Sequence, residues 1–401
     1  MSSAQIDAGL SAAVSNGAAH DPLAAAVALI GDIAAAADEI EETRRIPPEL
    51  FSQLHEARLC RMLLPRSFGG DEIDPGRYLR VIETVARADA SVAWNLFVAN
   101  SAALLAAHLE PATAQMIFGP ANALVAWGPP NATVAEAEES GYRVSGRWDF
   151  ASGCRNATWM GVHCRVREAN GDLRQNQYGK SAVVSMLFPA AQATLLDTWD
   201  TIGLRGTASD AYTVEGLFVA EAFTGTREAP EARREPGALY AFPMQGIYAV
   251  GVAGVALGIA GEMLTAFRAL ASEKTPRGYT RLADSATVQA GIARSEVRLG
   301  AAHAYLQETL AEIYQRAGSQ GAIGVDDRAR VRLGTSNAIQ GAIEVADWVY
   351  KQAGVDAIFP GGSFQRRFRV IHTLSQQIQS RDGHFEAVGQ VMLGNPPAVF
   401  Y

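Results

Sequence analysis

The residues able to do chemistry are thinly spread along this chain of 401 residues. Seven histidines, at 20, 55, 108, 163, 303, 372 and 384, show no metal-ligand spacing, and Cys60, Cys154 and Cys164 form no CxxC or Cys/His cluster. There is no GxxxxGK[ST] phosphate loop, no HExxH and no GxSxG elbow. The glycines at 251–261 neither follow a strand nor match GxGxxG. Hydrolase, kinase, zinc-enzyme and Rossmann-dehydrogenase chemistries each lose their main support. What stands out is "GYRVSGRWDFASGCRNATW", residues 141–159. Its first half alternates as a half-buried strand does, with Tyr142, Val144, Trp148 and Phe150 on one face. It then runs into Ala151-Ser152-Gly153-Cys154, four small residues ahead of Trp159, so a hydroxyl sits in a space emptied of bulk among aromatic side chains. Ser152-Gly153 is either a site feature or the turn that ends the strand. Trp127, Phe150 and Trp159 are either walls of that site or ordinary core.

The elements that must position this stretch are of two kinds. Residues 23–120 read as helices: the Ala-rich "LAAAVALIGDIAAAADEIEETRR", then "PELFSQLHEARLC", then the apolar run "RYLRVIETVARADASVAWNLFVANSAALLAAHL". Asp74 is placed as an N-cap, with Pro75 at the first helical position. From 121 to about 225 the segments are short, rich in Val, Thr and aromatics, and separated by "GPPN", "EESG" and "EANGD". "SAVVSMLFP", "ATLLDTWDTIG" and "AYTVEGLFVAEAF" read as further strands. Helical periodicity returns at 243–272, 284–317, 325–355 and 364–379, four pieces that suit a bundle. Glycines at 246, 251, 254, 258 and 261 suit close helix crossings.

Composition bounds the function classes. A chain that is 48% hydrophobic and 19% charged has ample core, and disorder is expected only near residues 1–24. A net charge of −8 gives no basic footprint for nucleic acid or an anionic membrane. The N-terminus lacks the basic start and apolar core of a signal peptide, and cysteines without framework spacing point to a reducing, cytoplasmic compartment. Residues 236–261 carry no charge, but Pro243 and Gln245 interrupt them, and their apolar core falls short of the roughly 20 residues of a membrane span. A buried bundle helix is the expectation there.

The helical–β–helical order and four motifs resemble the acyl-CoA dehydrogenase superfamily. "LLPRSFGGDEID" resembles the family's connector, and "VAWGPPNATVAEAEESGYRVSGRWDFASGCRNATWMGV" its flavin-facing strands. "DTIGLRGTASDAYTVEGLFVAEAF" and "FQRRFRVIHTLSQQIQ" resemble two later family runs. The resemblance implies an α+β, acyl-CoA dehydrogenase-like fold. Its parts are an N-terminal all-α domain (25–120), a central β-barrel-like domain (121–230) and a C-terminal four-helix bundle (231–401).

Within that superfamily the dehydrogenases use a glutamate about nine residues after an arginine of an "RD" pair to abstract a proton. Here Arg369 is followed by Val370, and the base position reads Gln377-Ile378-Gln379; Glu386 lies further along. An alternative position on an earlier helix is held by Glu262. The "W.F.SG...A.W" form is more similar to the flavin-dependent, two-component (group D) monooxygenases. That likeness implies reduced FMN or FAD supplied by a separate reductase, by diffusive transfer, with dioxygen as co-substrate. It implies hydroxylation of a small aromatic or heterocyclic substrate through a C4a-hydroperoxide protected in a dry pocket.

Ser152 then maps onto the partner of flavin N5, with Gly153, Trp127 and Phe150 around the ring and Trp159 as a further wall. Arg277 is the best match to an arginine that reaches the flavin phosphate, often in a neighbouring subunit; Thr275 and Arg281 are weaker matches. Thr207 and Ser209 either reach flavin or substrate or serve turn chemistry. The histidines of related phenol hydroxylases fall at Ala102 and Gln377 here, which leaves His372 and His384 as candidate site histidines and suggests an electron-rich, indole-like substrate needing no base. A homotetramer is implied, with neither nucleic acid nor membrane as partner. An acyl-CoA dehydrogenase or related oxidase, and a non-catalytic oligomeric scaffold, are the alternatives.

Overall fold

The structure is a computed structural model that describes residues 20–176, 179–226 and 232–396. Among the described residues six helices come first: α1 (Pro22–Ala35), α2 (Ala37–Thr43), α3 (Pro48–Glu56), α4 (Pro75–Ala88), α5 (Ala90–Ala103) and α6 (Pro111–Phe118). Asp74 caps α4 as its sequence suggests, accepting from the Arg77 amide at 2.8 Å behind Pro75. The apolar run after it is two helices and not one. Asp89 leaves the helical conformation and caps α5, accepting from the Val92 amide at 2.9 Å. That break turns α5 inward. All fourteen of its residues are buried, so it has no polar face. The flexible-terminus expectation for 1–24 falls mostly on residues outside the described ones, and α1 already begins at Pro22.

Eight strands follow among the described residues: β1 (Val125–Trp127), β2 (Val134–Glu138), β3 (Gly141–Ala151), β4 (Trp159–Arg167), β5 (Val183–Pro189), β6 (Thr194–Leu196), β7 (Asp210–Ala220) and β8 (Thr224–Gly225). They form one mixed sheet in the order β6-β7-β3-β2-β4-β5-β8, with β1 paired to β4. β1 and β2 run parallel to β4; the other pairs are antiparallel. β5 also meets β7, so the sheet curls on itself. The stretch "ATLLDTWDTIG" is strand only at Thr194–Leu196, because Asp210 binds the amides of Thr198 and Trp199, each at 3.0 Å, and folds the rest into a loop.

The third part holds α7 (Met244–Glu273), α8 (Ala286–Gln320), α9 (Val325–Ala353), α10 (Ser363–Leu374) and α11 (Gly383–Met392). The last expected helix, 364–379, stops at Leu374; the chain then makes a short turn at Ile378–Ser380 and starts α11. The small residues of α7 serve contacts within the chain. A Cβ on Gly251 would lie 2.7 Å from the Phe97 ring, and one on Gly258 would lie 2.5 Å from the Glu83 carbonyl oxygen. Only glycine lets α7 come this close to α5 and α4. Two stretches, Ala90–His108 and Met244–Glu273, have the length and hydropathy to cross a membrane, yet 100% and 83% of their most apolar windows are buried inside the fold. They are its central core helices.

Candidate active site

Three segments meet where β3 ends. α5 supplies Trp94 and Asn95, the end of β3 supplies Ser152 and Gly153, and the turn before β7 supplies Thr207 and Ser209. The geometry is one line of hydrogen bonds. Trp94 Nε1–H donates to Ser152 Oγ at 3.1 Å, Ser152 Oγ is 2.6 Å from Ser209 Oγ, and Ser209 Oγ is 2.7 Å from Thr207 Oγ1. Thr207 in turn donates to the Leu204 carbonyl at 2.8 Å. All four side chains are buried, none more than 6% exposed. Four buried polar groups are tolerable in such a place because each has a partner.

The backbone is built for this arrangement. Gly153 adopts φ +79°, and its amide donates to the Thr207 carbonyl at 3.0 Å, stitching the strand end to the turn. A Cβ there would lie 3.0 Å from Asn95 Oδ1, besides being strained by the dihedral. Asn95 fixes the turn from the other side, donating to the carbonyls of Ser91 (3.0 Å) and Gly206 (3.1 Å). Its Oδ1 is buried without a hydrogen-bond partner. Leu204 and Ala208, both at positive φ, bracket Thr207. Arg205 holds this unusual turn, donating to the carbonyls of Glu41 and Thr201, each at 2.9 Å, and to Asp200 at 2.8 Å. Asp210, 1% exposed, takes the Arg155 guanidinium at 2.6 Å. Cys154 is a small buried residue whose thiol donates to the Ala208 carbonyl at 3.4 Å; burial pushes its pKa up to about 12.

Phe150 does not share the buried face of Tyr142, Val144 and Trp148. It is 63% exposed and sits at φ +64°, because the β3–β7 register shifts between Trp148 and Ala151. The bulge turns one residue outward, which strict alternation could not show. The Phe150 ring meets Trp199 edge-on at 6.3 Å. Trp127, half-buried at the end of β1, lies edge-on to His163 at 4.8 Å. Trp159 stacks on Phe223 at 5.5 Å and serves the packing of the sheet against the helical side.

From Trp94 an aromatic line leads into the bundle. Trp94 and Phe97 meet edge-on at 4.7 Å, and Phe97 and Tyr248 of α7 at 4.9 Å. The Tyr248 hydroxyl faces the Gln377 side chain, and burial drives its pKa well above the phenol range, so it stays neutral. Gln377 also accepts from the Gln379 amide at 2.6 Å.

The two candidate histidines are held elsewhere. His372 pairs with Asp347 of α9 at 2.8 Å, its ring against Phe368. His384 is 2.7 Å from the Ile378 carbonyl, its pKa lowered by burial and by the nearby Arg332. Neither contacts the Ser152 line. Arg277 lies exposed in the α7–α8 turn, 25 residues of helix and more beyond Tyr248, or about 37 Å at the rise of an α-helix. Within one chain it does not join Ser152. Glu262, the alternative base, faces Arg367, about 21 Å along α7 from Tyr248.

Sequence reasoning missed Trp94, Asn95 and Tyr248 as site residues. A signal existed for the first two: an indole N–H and an amide inside a helix with no exposed face must find polar partners.

The pairing of an exposed aromatic ring with a buried, partly filled hydroxyl suits a planar cofactor, and comparison with known proteins points the same way. Residues 24–115 match the family described as Acyl-CoA dehydrogenase, N-terminal domain, and residues 250–381 match Acyl-CoA dehydrogenase, C-terminal domain. An indole-3-acetate monooxygenase from Acinetobacter baumannii is 27% identical over 92% of both chains. The FADH(2)-dependent resorcinol hydroxylase, oxygenase component, from a Rhizobium species is 26% identical over 92% of this chain and 95% of its own. The solved structure of XiaF from a Streptomyces species, in complex with FADH2 and glycerol, superposes with a TM-score of 0.86 at 23% identity over 94% of this chain and 96% of its own. The two family matches together span more than half of the chain, on either side of the sheet that carries Ser152, and with the shared fold they make this chain a member of the acyl-CoA dehydrogenase superfamily.

Proposed function

We propose that the protein is the oxygenase component of a two-component flavin-dependent monooxygenase that hydroxylates a small, electron-rich aromatic or heterocyclic ring of the indole class. The observation that carries this reading is Ser152, a buried hydroxyl with bonding capacity to spare, set beside the outward-facing ring of Phe150. The relatives named for indole-3-acetate and resorcinol oxidation support the reaction type. Reduced flavin, when bound, supplies the activation of dioxygen. The chain's own residues do the rest: Ser152 accepts a hydrogen bond from flavin N5–H, Phe150 and Trp127 shield the ring system, and Gly153 keeps space open at the strand end.

The substrate side supports a ring that needs no deprotonation. Where related phenol hydroxylases place a histidine, this chain has Gln377, facing a neutral Tyr248. An indole is electron-rich enough to react without a base. We read residues 25–120, 121–230 and 231–401 as the three domains, in a cytoplasmic homotetramer served by a diffusing reductase product. Arg277, remote from Ser152 in its own chain, then meets the flavin phosphate of a neighbouring copy.

The test is direct. The purified protein is titrated without oxygen with reduced FMN and FAD, then mixed with oxygenated buffer and indole-3-acetate, and the products are weighed by mass spectrometry. Binding of reduced flavin and a product one oxygen atom heavier are expected. Bleaching of bound oxidised flavin by an acyl-CoA would overturn the reading in favour of a dehydrogenase. Failure to bind flavin in either state would overturn it in favour of a scaffold.

A further inference from the structure

The hydroxyl line at the end of β3 has a direction, and it can be read from one end. The Leu204 carbonyl has no proton to give, so Thr207, 2.8 Å away, spends its only hydroxyl proton there. In the 2.7 Å contact between Thr207 and Ser209 the donor must then be Ser209. In the 2.6 Å contact between Ser209 and Ser152 the donor must be Ser152. Trp94, whose indole can only donate, fills one Ser152 lone pair at 3.1 Å. The order Trp94 → Ser152 → Ser209 → Thr207 → Leu204 is the arrangement in which every contact is made. It leaves Ser152 with no proton to offer and one lone pair to fill.

We propose that this directed chain, and Thr207 and Ser209 as its positioning residues, make Ser152 an obligate acceptor and so set the redox state of the flavin the site takes. The inference rests on the proposed placing of flavin N5 at Ser152. Reduced flavin carries a proton on N5 and satisfies an acceptor. Oxidised flavin presents a bare N5 lone pair, which against Ser152 leaves two acceptors facing each other in a buried place. Thr207 and Ser209 exert this effect without touching the flavin.

Variants that change the direction test it. In Thr207→Val, close in shape, the Ser209 proton loses its acceptor and turns to Ser152, whose two lone pairs are then filled by Trp94 and Ser209. Ser152 now projects its own proton, as oxidised N5 requires. The Leu204 carbonyl keeps the Trp199 indole as a donor at 2.8 Å, so no buried group is orphaned. In Ser209→Ala the Ser152 proton is merely released to rotate. Dissociation constants for oxidised FMN and for chemically reduced FMN, the latter without oxygen, are measured on the full chain.

Wild type is expected to favour reduced FMN by roughly tenfold or more. That ratio should collapse or invert in Thr207→Val, shrink in Ser209→Ala, and survive in Ser209→Thr, which keeps the acceptor. A purely structural role would weaken both redox states together and leave the ratio alone. A ratio within about twofold of wild type in both Thr207→Val and Ser209→Ala, with Ser152→Ala still altering it, overturns the directed chain and leaves the flavin site standing. No change in either affinity on Ser152→Ala overturns the site itself, and the inference with it.

Discussion

The corner around Ser152 and the turn between α10 and α11 are both places where the chain gathers polar groups inside the fold, and they are built in opposite ways. At the corner, three segments far apart in sequence interlock through bonds of 2.6–3.1 Å, and the side chains are fully covered. Around the turn, His372 of α10, Gln377 and His384 of α11 are only partly buried, and each takes a short-range or neighbouring-helix partner: Asp347, the Gln379 amide and the Ile378 carbonyl. Under the proposed function, the first design suits holding one fixed ring against one fixed hydroxyl. The second suits a wall fitted to a particular substrate, since its residues can change without loosening the scaffold. The corner carries Ser152-Gly153 and Thr207-Ser209, and the turn carries Gln377, with Arg369-Val370 ahead of it in α10.

The comparison breaks most visibly at Trp94. Replacing it with alanine empties a buried indole site and orphans a Ser152 lone pair. Unfolding by denaturant should show a loss of about 3–5 kcal/mol. Tyr248→Phe, which removes only the hydroxyl that meets Gln377, should cost about 1 kcal/mol in the same measurement. Comparable losses from the two would mean that the corner is no more rigid than the turn.

Next in size is a change in chemistry at the turn. With Gln377 in place, no group on the Trp94–Tyr248 line titrates near neutrality: Trp94 and Phe97 carry no titratable proton there, and burial drives the Tyr248 phenol well above its ordinary range. Product formation should therefore vary little between about pH 6.5 and 8. Gln377→His places an imidazole there, with an ordinary pKa of about 6.5. That group acts as a base only when neutral, so activity on a phenolic substrate should rise with pH through about 6.5 and level off above it. A flat profile in the variant would show that position 377 does not face the substrate.

How much of this was legible in the sequence follows the same division. Ser152, Gly153, Thr207 and Ser209 stand in motifs whose small residues mark a strand end and a turn, and the structure joins them. Trp94 and Asn95 were hidden because α5 is apolar all round and offers no periodicity to say which residue faces the site. Tyr248 was hidden likewise in the glycine-rich run of α7, whose close packing turned out to be against α4 and α5 of the same chain. The helix break at Asp89 was readable in principle from its capping geometry. The inversion of Phe150 was not, since a bulge depends on the register of β7, some sixty residues further on.

Phe150 gives the smallest effect on stability and the sharpest contrast with the hydroxyl chain. A bulky residue at φ +64° is strained, and this one exposes most of its ring, so it recovers little by burial. Strain held at a position with so little packing to justify it points to a role for the ring outside the chain's own core. Phe150→Gly removes the strain and the ring together. Relief of about 1 kcal/mol from the left-handed conformation is largely offset by the entropy that glycine loses on folding, so the unfolding free energy should stay within about 0.5 kcal/mol of wild type. Flavin affinity should fall, because the face of the ring system loses its aromatic cover. Because the ring makes no hydrogen bond to N5, the affinities for both reduced and oxidised FMN should fall. Thr207→Val moves their ratio through the proton on N5, and Phe150→Gly lowers both; a Thr207→Val variant that lowered both affinities without moving their ratio would tie the redox preference to general packing at the strand end and not to the direction of the hydroxyl chain.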